Sequence, residues 1–431
     1  MCNYLLRKQG GTPDAPAEVM FHTRSASSEL IRHAGLSYFP LAFIARLPFA
    51  MMTVGVLTLV VAERGSVTLG GLNSAAAGIG TALAGPLLGA AADRLGQRRV
   101  LVPVGLINAA LLAAFILVVQ SAAPDLALLA MSVLIGASAP QIAPMSRTRL
   151  VAIITRKIRV SERERVLSST MAYESAADET VFIVGPFLVG ILATAIAPWL
   201  AIVGAAALTL VFVTRFALHP TGRLQPGTKN SRQQAPAREL ASAKLLTVVA
   251  GALGIGLFFG ATLTSLTGFL AADGDGDRAG LLYGVMGIGS AALALGSAAF
   301  PARFSFRARW LTFATLMLAA ALAYATARDE LTIVIALAVL GCGIGPTLVS
   351  QYSLAAQLSP AGRSATTMTM LGSAVVVGQA VSSAVTGAVV DSLGATTAMT
   401  LPAVTAALIV AAGIAHATSK PKTADRELVP A

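Results

Sequence analysis

Charge is scarce in this 431-residue chain: 12% of residues are Asp, Glu, Lys or Arg, about half the share usual in water-soluble domains. Acids are scarcer than bases, 20 against 31, which leaves a formal net charge of +11. Cysteine is nearly absent. Cys2 falls in a polar tail and Cys342 in an apolar run, so neither a disulfide framework nor a cysteine metal site is expected. The four histidines, His22, His33, His219 and His416, all fall at or beyond the ends of apolar segments. They are therefore poor candidates for proton handling inside a bilayer. No Walker-type glycine loop, paired metal-ligand spacing or hydrolase elbow occurs. No enzymatic activity, cofactor or metal is expected.

What fills the chain instead is apolar. Hydrophobic residues make up 55% and the mean hydropathy is +0.76. Runs long enough to cross a bilayer, which takes about 20 residues, recur from end to end. Twelve such runs can be marked, the fourth at 126–146 and the fifth at 166–194. They form two sets of six at 37–218 and 244–416, separated by a polar linker at 219–243 and flanked by polar tails at 1–36 and 417–431. The expected fold is an all-α polytopic membrane protein of twelve transmembrane helices in two six-helix bundles. Of the 31 basic residues, 27 fall in the tails and in the loops on the same side as the tails. Positive-inside topology then puts both termini in the cytoplasm of a cell whose plasma membrane holds the protein. It also accounts for the net charge without a nucleic-acid partner.

The most informative stretch is Gly85 to Leu101, GPLLGAAADRLGQRRVL. Gly89, Asp93, Arg94, Gly96, Arg98, Arg99 and Leu101 follow a G-x3-D-R-x-G-x-R-R-x-L spacing. Gly89 allows close approach of a neighbouring helix, and Gly96 permits a backbone conformation that other residues resist. Asp93 can accept hydrogen bonds from a helix N-terminus or an arginine. This stretch resembles the signature loop between the second and third helices of the major facilitator superfamily. The resemblance extends over 37–416 and implies alternating access, with two bundles rocking about a central site. It implies further that the 89–101 loop braces the first bundle against the cytoplasmic end of the eleventh helix. Weak internal repetition agrees with duplicated halves. At an offset of 209, Gly78-Ile79-Gly80 falls on Gly287-Ile288-Gly289, and Arg94 and Arg98 fall on Arg303 and Arg307, while Asp93 meets Ala302.

The fifth apolar run carries three acids, Glu174, Asp178 and Glu179. Glu174 and Asp178 are four apart and share a helix face; Glu179 points about 100° away from Asp178. Ionised carboxylates in hydrocarbon are costly, so they face a cavity, pair with a cation or carry a proton. Arg46, in the first run, is the one arginine read as lying within a span. Two readings stand open: a structural ion pair of Arg46 with Glu174 or Asp178, or a proton-coupling group among Asp178, Glu174, Glu179 and Arg46. Relatives that act as exporters carry an arginine early in the fourth helix, where Met131, Ser132 and Val133 stand here; Arg46 is the expected substitute. Pro140, Gln141 and Pro144 are expected to unwind a turn of that helix.

Gly185, Pro186 and Gly190 partly resemble the antiporter signature of the same superfamily, with Val181 and Val189 standing where glycines are usual. Gln141, Gln351, Tyr352 and Gln379 are candidate substrate contacts, polar groups in otherwise apolar runs. The function implied is secondary active transport. The expectation is proton-coupled efflux of a small amphipathic or drug-like molecule by a monomer whose partners are substrate, protons and the lipid bilayer. Uptake of a solute, lipid translocation and a non-transporting sensor or scaffold are the alternatives.

Overall fold

The computed structural model describes residues 28–224, 234–271, 279–301 and 303–418. Residues 1–27 of the N-terminal tail, 225–233 of the linker and 419–431 of the C-terminal tail lie outside the described residues, as do Cys2 and Ala302. Among the described residues, twelve helices are long and apolar enough to span a membrane. They are α1 (Tyr38–Arg64), α2 (Leu69–Leu95), α3 (Gln97–Gln120), α4 (Asp125–Lys157), α5 (Val160–Ala193) and α6 (Pro198–Leu218), then α7 (Ala243–Leu270), α8 (Leu282–Ala299), α9 (Phe306–Thr326), α10 (Glu330–Leu358), α11 (Ser364–Leu393) and α12 (Ala395–Thr418). No strand occurs among the described residues. An even number of spans brings both ends of the bundle to one face, which is also the face of most basic loops; it is called the basic face below.

Two expectations about boundaries are corrected. Residues 28–34 are helical, with Leu30 and Ala34 buried, so the first 36 residues are not all tail. The fourth span does not end at 146 but runs to Lys157. Arg147 and Arg149 accordingly lie inside the helix and are buried, not in a loop. The apolar Val151-Ala152-Ile153-Ile154 segment beyond them supplies the burial that keeps the helix going.

Proline sets two interruptions that matter for the site. In α1 the helix breaks at Ala45–Arg46 and restarts at Leu47. Pro48 has no N–H to give to the Ile44 carbonyl, so a turn is lost there. In α4 the chain is non-helical at 139–141, beside Pro140, and restarts at Ile142. The expected unwound turn is present. Both restarts fall at the level of the charged side chains described below.

Packing divides the molecule by depth. In the half away from the basic face, the first bundle has its own apolar core, including Met51, Leu112, Phe115 and Ile202. Towards the basic face, a single core runs from the first bundle (Ala92, Met145, Met171) into the second (Met368, Leu371, Val349). The bundles meet chiefly through α2 on α11 and α5 on α8. They are joined at the basic face.

Candidate functional site

Four charged side chains and their polar partners form a chain across both bundles. It starts in α1, where the Tyr38 hydroxyl lies 2.8 Å from Ser146 Oγ of α4. Ser146 Oγ donates to Glu174 Oε1 of α5 at 2.9 Å. Glu174 Oε2 accepts a short hydrogen bond from Arg46 Nη2. Arg46 Nε also lies 3.4 Å from Asp178 Oδ1, and Arg147 Nη2 lies 2.6 Å from Asp178 Oδ2. The Arg147 guanidinium in turn sits 3.9 Å from the centroid of the Tyr352 ring on α10. Glu174 is fully buried and Asp178 about one-fifth exposed.

The helix periodicity explains who meets whom. Glu174 and Asp178, one turn apart, face α1 and α4 together and find two arginines there. Two acids against two bases make this group charge-balanced, which is the condition for holding ions in hydrocarbon. Arg46 is therefore not the sole intramembrane arginine, as the sequence suggested. Arg147 is the cation of the fourth helix, sixteen positions beyond Met131. Its signal was the Met-Ser-Arg-Thr-Arg run between an apolar helix start and an apolar continuation.

Glu179 stands apart. Its Oε1 accepts from Ser290 Oγ of α8 at 2.5 Å, a bond across the bundle boundary. Its Oε2 is buried without a hydrogen-bond partner, and among the described residues no cation pairs with it. It is the acid that the two arginines leave over.

At the basic face the signature loop seats the first bundle on the second. Asp93 Oδ1 accepts from Ala365 N at 3.0 Å, and Oδ2 accepts from Thr366 N and Thr366 Oγ1 at 2.7 Å each. Those donors are the first turn of α11, where unpaired N–H groups and the helix dipole favour an anion. Gly89 makes the approach possible: a β-carbon there would lie 2.2 Å from Thr369 Oγ1 and 2.9 Å from the Ala365 carbonyl. Gly96, at φ +89, ends α2 and lets α3 begin at once. Arg94 is exposed at the end of α2, and Arg98 and Arg99 line a separate surface cavity. In the second half, the junction without an acid is made by Arg309 of α9, whose Nη1 donates to Ser168 Oγ of α5 at 2.8 Å.

The remaining expected residues are scattered. Gly185 packs on α1, where its β-carbon would lie 2.6 Å from Ala50 Cβ, and Pro186 lies within α5. A β-carbon at Gly190 would meet nothing within 4 Å, so close crossing does not require that glycine. Gln141 sits at the break in α4 and donates to the Ala139 carbonyl. Tyr352 joins the charged group, as just described. Gln351 does not: it is buried within the second bundle beside Gly251, with its amide unpartnered. Gln379 is exposed on α11, beside Gly260 of α7. Among the described residues no cluster of His, Cys, Asp and Glu is placed to hold a metal.

Several solved structures share this architecture. The human organic anion transporter MFSD10 (TETRAN) superposes with a TM-score of 0.62 at 20% identity, covering 91% of this chain and 99% of that one. A bacterial homologue of the iron transporter ferroportin, in an outward-facing state, gives 0.68 at 14% identity, covering 88% and 97%. FucP in its outward conformation gives 0.62 at 15% identity, covering 88% and 99%. At such identities the likeness is one of fold. No curated protein sequence matches this chain significantly. The family model for the Major Facilitator Superfamily matches residues 38–368, and with twelve helices arranged as in those transporters the chain belongs to that superfamily: it is a membrane transporter, not an enzyme.

Proposed function

We propose that this transporter couples proton movement to efflux of a small amphipathic or drug-like molecule by alternating access. The observation that carries the reading is Glu179: an acid at mid-span, on the boundary between bundles, bonded to Ser290 and left without a cation. An ionised carboxylate in that position is costly, so proton uptake there stabilises the closed α5–α8 contact and proton loss weakens it. Asp178 is the neighbouring residue on α5 and pairs with Arg46, which also holds Glu174, while Arg147 links Asp178 to Tyr352, so a change at Glu179 is felt by the group that spans both bundles. With no nucleotide-binding loop in the sequence, uphill movement draws on an ion gradient.

The same reading places the basic face in the cytoplasm, both termini with it, by the positive-inside rule. The state described is then closed to the cytoplasm. The six-helix units at 37–218 and 244–416 are the rocking bodies, and 219–243 is their link. The acting unit is a single chain in the plasma membrane.

The test is flux through liposomes that contain only this protein. With an imposed pH gradient, a cationic dye such as ethidium is expected to move against its own gradient and to dissipate the pH difference, and an uncoupler is expected to stop both. Movement that ignores the pH gradient sinks the coupling claim. Accumulation rather than depletion of solute in cells that make the protein points to uptake. No movement of any solute across a broad library favours a sensor or scaffold.

A further inference from the structure

The turn between α2 and α3 and the end of α6 border an open cavity of about 680 Å³ at the basic face. Three arginines line it, Arg98, Arg99 and Arg223, and no acid does. Among the described residues none of the three has an ion-pair partner. Beside them the lining is apolar: Leu95, Val102 and Leu218, of which Leu95 and Leu218 are exposed large hydrophobic residues. Leu95 and Leu218 end their helices level with the arginines, and Val102 and Pro103 continue the apolar lining one turn further into α3.

A fourth cation stands behind the wall. Arg149 is fully buried in α4, yet no carboxylate pairs with it among the described residues. Its Nε donates to Gln97 Oε1 at 2.6 Å, and its Nη1 donates to the Phe216 carbonyl at 2.7 Å and to Thr221 Oγ1 at 3.3 Å. Its plane lies over the Phe216 ring, with the guanidinium carbon 3.8 Å from the centroid. Nη2 is buried with no partner. A β-carbon at Gly222 would lie 3.2 Å from that nitrogen, so Gly222 packs against the guanidinium, and both Gly222 and Gln97 line the cavity. A buried charge normally has a counter-ion, since leaving it alone costs several kcal/mol. Here every contact to Arg149 is neutral, and the field of the unbalanced charge adds to that of the three arginines in front.

We infer that this cavity binds one acidic phospholipid of the inner leaflet. The phosphodiester sits among Arg98, Arg99 and Arg223, drawn also by Arg149, and an acyl chain runs along Val102 and Leu218 into the bilayer. The volume falls within the usual range for small-molecule sites, and basic pockets at the cytoplasmic ends of helices recognise anionic headgroups. The apolar half favours a lipid over a free phosphate, which has nothing to place there. The occupied site ties α3 to α6 and holds the turn that ends at Gly96, next to the Asp93 contact with α11. The inference is independent of what the protein carries.

The experiment uses purified full-length protein in detergent and native mass spectrometry. The probes are dioleoyl phosphatidylglycerol, dioleoyl phosphatidylcholine and inorganic phosphate. Retention of phosphatidylglycerol at least tenfold above phosphatidylcholine is expected. The double variant Arg98→Gln/Arg223→Gln is expected to reduce it on the order of fivefold per arginine removed, and Arg98→Lys/Arg223→Lys, which keeps the charge, is expected to restore most of it. Leu218→Trp fills the apolar half and is expected to weaken lipid retention; an unchanged elution profile shows that these variants are folded. Equal retention of the two lipids, or phosphatidylglycerol binding indifferent to both the glutamine and tryptophan variants, overturns the site. Displacement of the lipid by inorganic phosphate at equal concentration overturns the lipid and leaves a free anion as ligand.

Discussion

Arg147 of the first bundle holds its guanidinium 3.9 Å from the ring centroid of Tyr352 in the second. The same arginine pairs with Asp178, so the charge balance of α5 and the contact between bundles share one side chain. A cation over an aromatic face contributes about 0.5–2 kcal/mol. Tyr352→Phe keeps the ring and is expected to transport normally. Tyr352→Leu removes it and shifts the population towards the state open at the basic face. Accessibility of a cysteine placed at Ser373, read with a membrane-impermeant thiol reagent from each side, measures that shift; identical labelling of the Phe and Leu variants removes the contact from the switch.

Removing one partner of a buried pair leaves the other charge stranded, at a cost of about 3–5 kcal/mol. Arg147→Ala leaves Glu174 and Asp178 facing Arg46 alone, and a large fall in melting temperature is expected. Asp178→Ala strands a cation in its place. The double variant retains the balanced pair of Arg46 and Glu174, and is expected to be more stable than either single variant. Thermal denaturation of the three purified variants checks the order. Additive losses mean that Arg147 and Asp178 do not act as a pair.

Asp93 accepts three hydrogen bonds from the first turn of α11. Asn in its place turns an NH2 group towards N–H donors and loses the charge that suits the helix terminus, leaving at least one buried donor unpaired at about 1–3 kcal/mol. Leu at position 89 drives a side chain into Thr369 and the Ala365 carbonyl. Asp93→Asn and Gly89→Leu are both expected to abolish transport while membrane insertion and expression stay normal. Wild-type flux in either well-expressed variant rules out this junction as a required latch.

Much of this was legible in the sequence because it is periodic or motif-borne. Twelve apolar runs set the helices, and the Gly89–Leu101 spacing announced a contact that Asp93 and Gly89 make with α11. A pair of Arg46 with Glu174 or Asp178 is one of the two readings that helical spacing and depth leave open, and the structure has Arg46 beside both acids. Arg147 and Arg149 are hidden in the sequence because they stand where an apolar run gives way to charge, the usual mark of a span's end. A long helix can bury arginine when partners come from other elements, and those partners, Asp178, Tyr352, Gln97 and Phe216, lie 31 to 205 residues away. Gln351 looked like a cavity residue by composition alone; its place in the second bundle depends on Gly251, a packing relation that no local pattern carries.

Glu179 offers the sharpest test of coupling. Gln is nearly isosteric and can still accept from Ser290, so Glu179→Gln is expected to preserve stability and dye binding. It is also expected to make flux indifferent to an imposed pH gradient. Asp178→Asn perturbs the arginine pairs instead, and is expected to lower stability as well as coupled flux. Liposome flux at several external pH values separates the two. Retained pH dependence in Glu179→Gln, with loss of it in a stable Asp178→Asn, moves the coupling proton to Asp178.

His219 gives a pH dependence of a different kind, in stability. It sits just past α6, with its ring 5.5 Å from that of Tyr38 and its Nδ1 3.0 Å from Thr221 Oγ1. Burial, and then the Arg149 charge nearby, lower its pKa below the usual 6.5; Arg32 and His33 flank the same small cavity and add no negative charge. The folded protein therefore prefers neutral His219. Above pH 6.5 both folded and unfolded chains hold it neutral, and this contribution is complete. As pH falls below 6.5 the unfolded chain takes the proton first, and stability declines until the folded-state pKa is passed. His219→Gln removes the titration and is expected to flatten that part of the curve between pH 7 and pH 5. Melting temperatures of the two proteins across that range decide it, and parallel curves would clear His219 of any part in acid sensitivity.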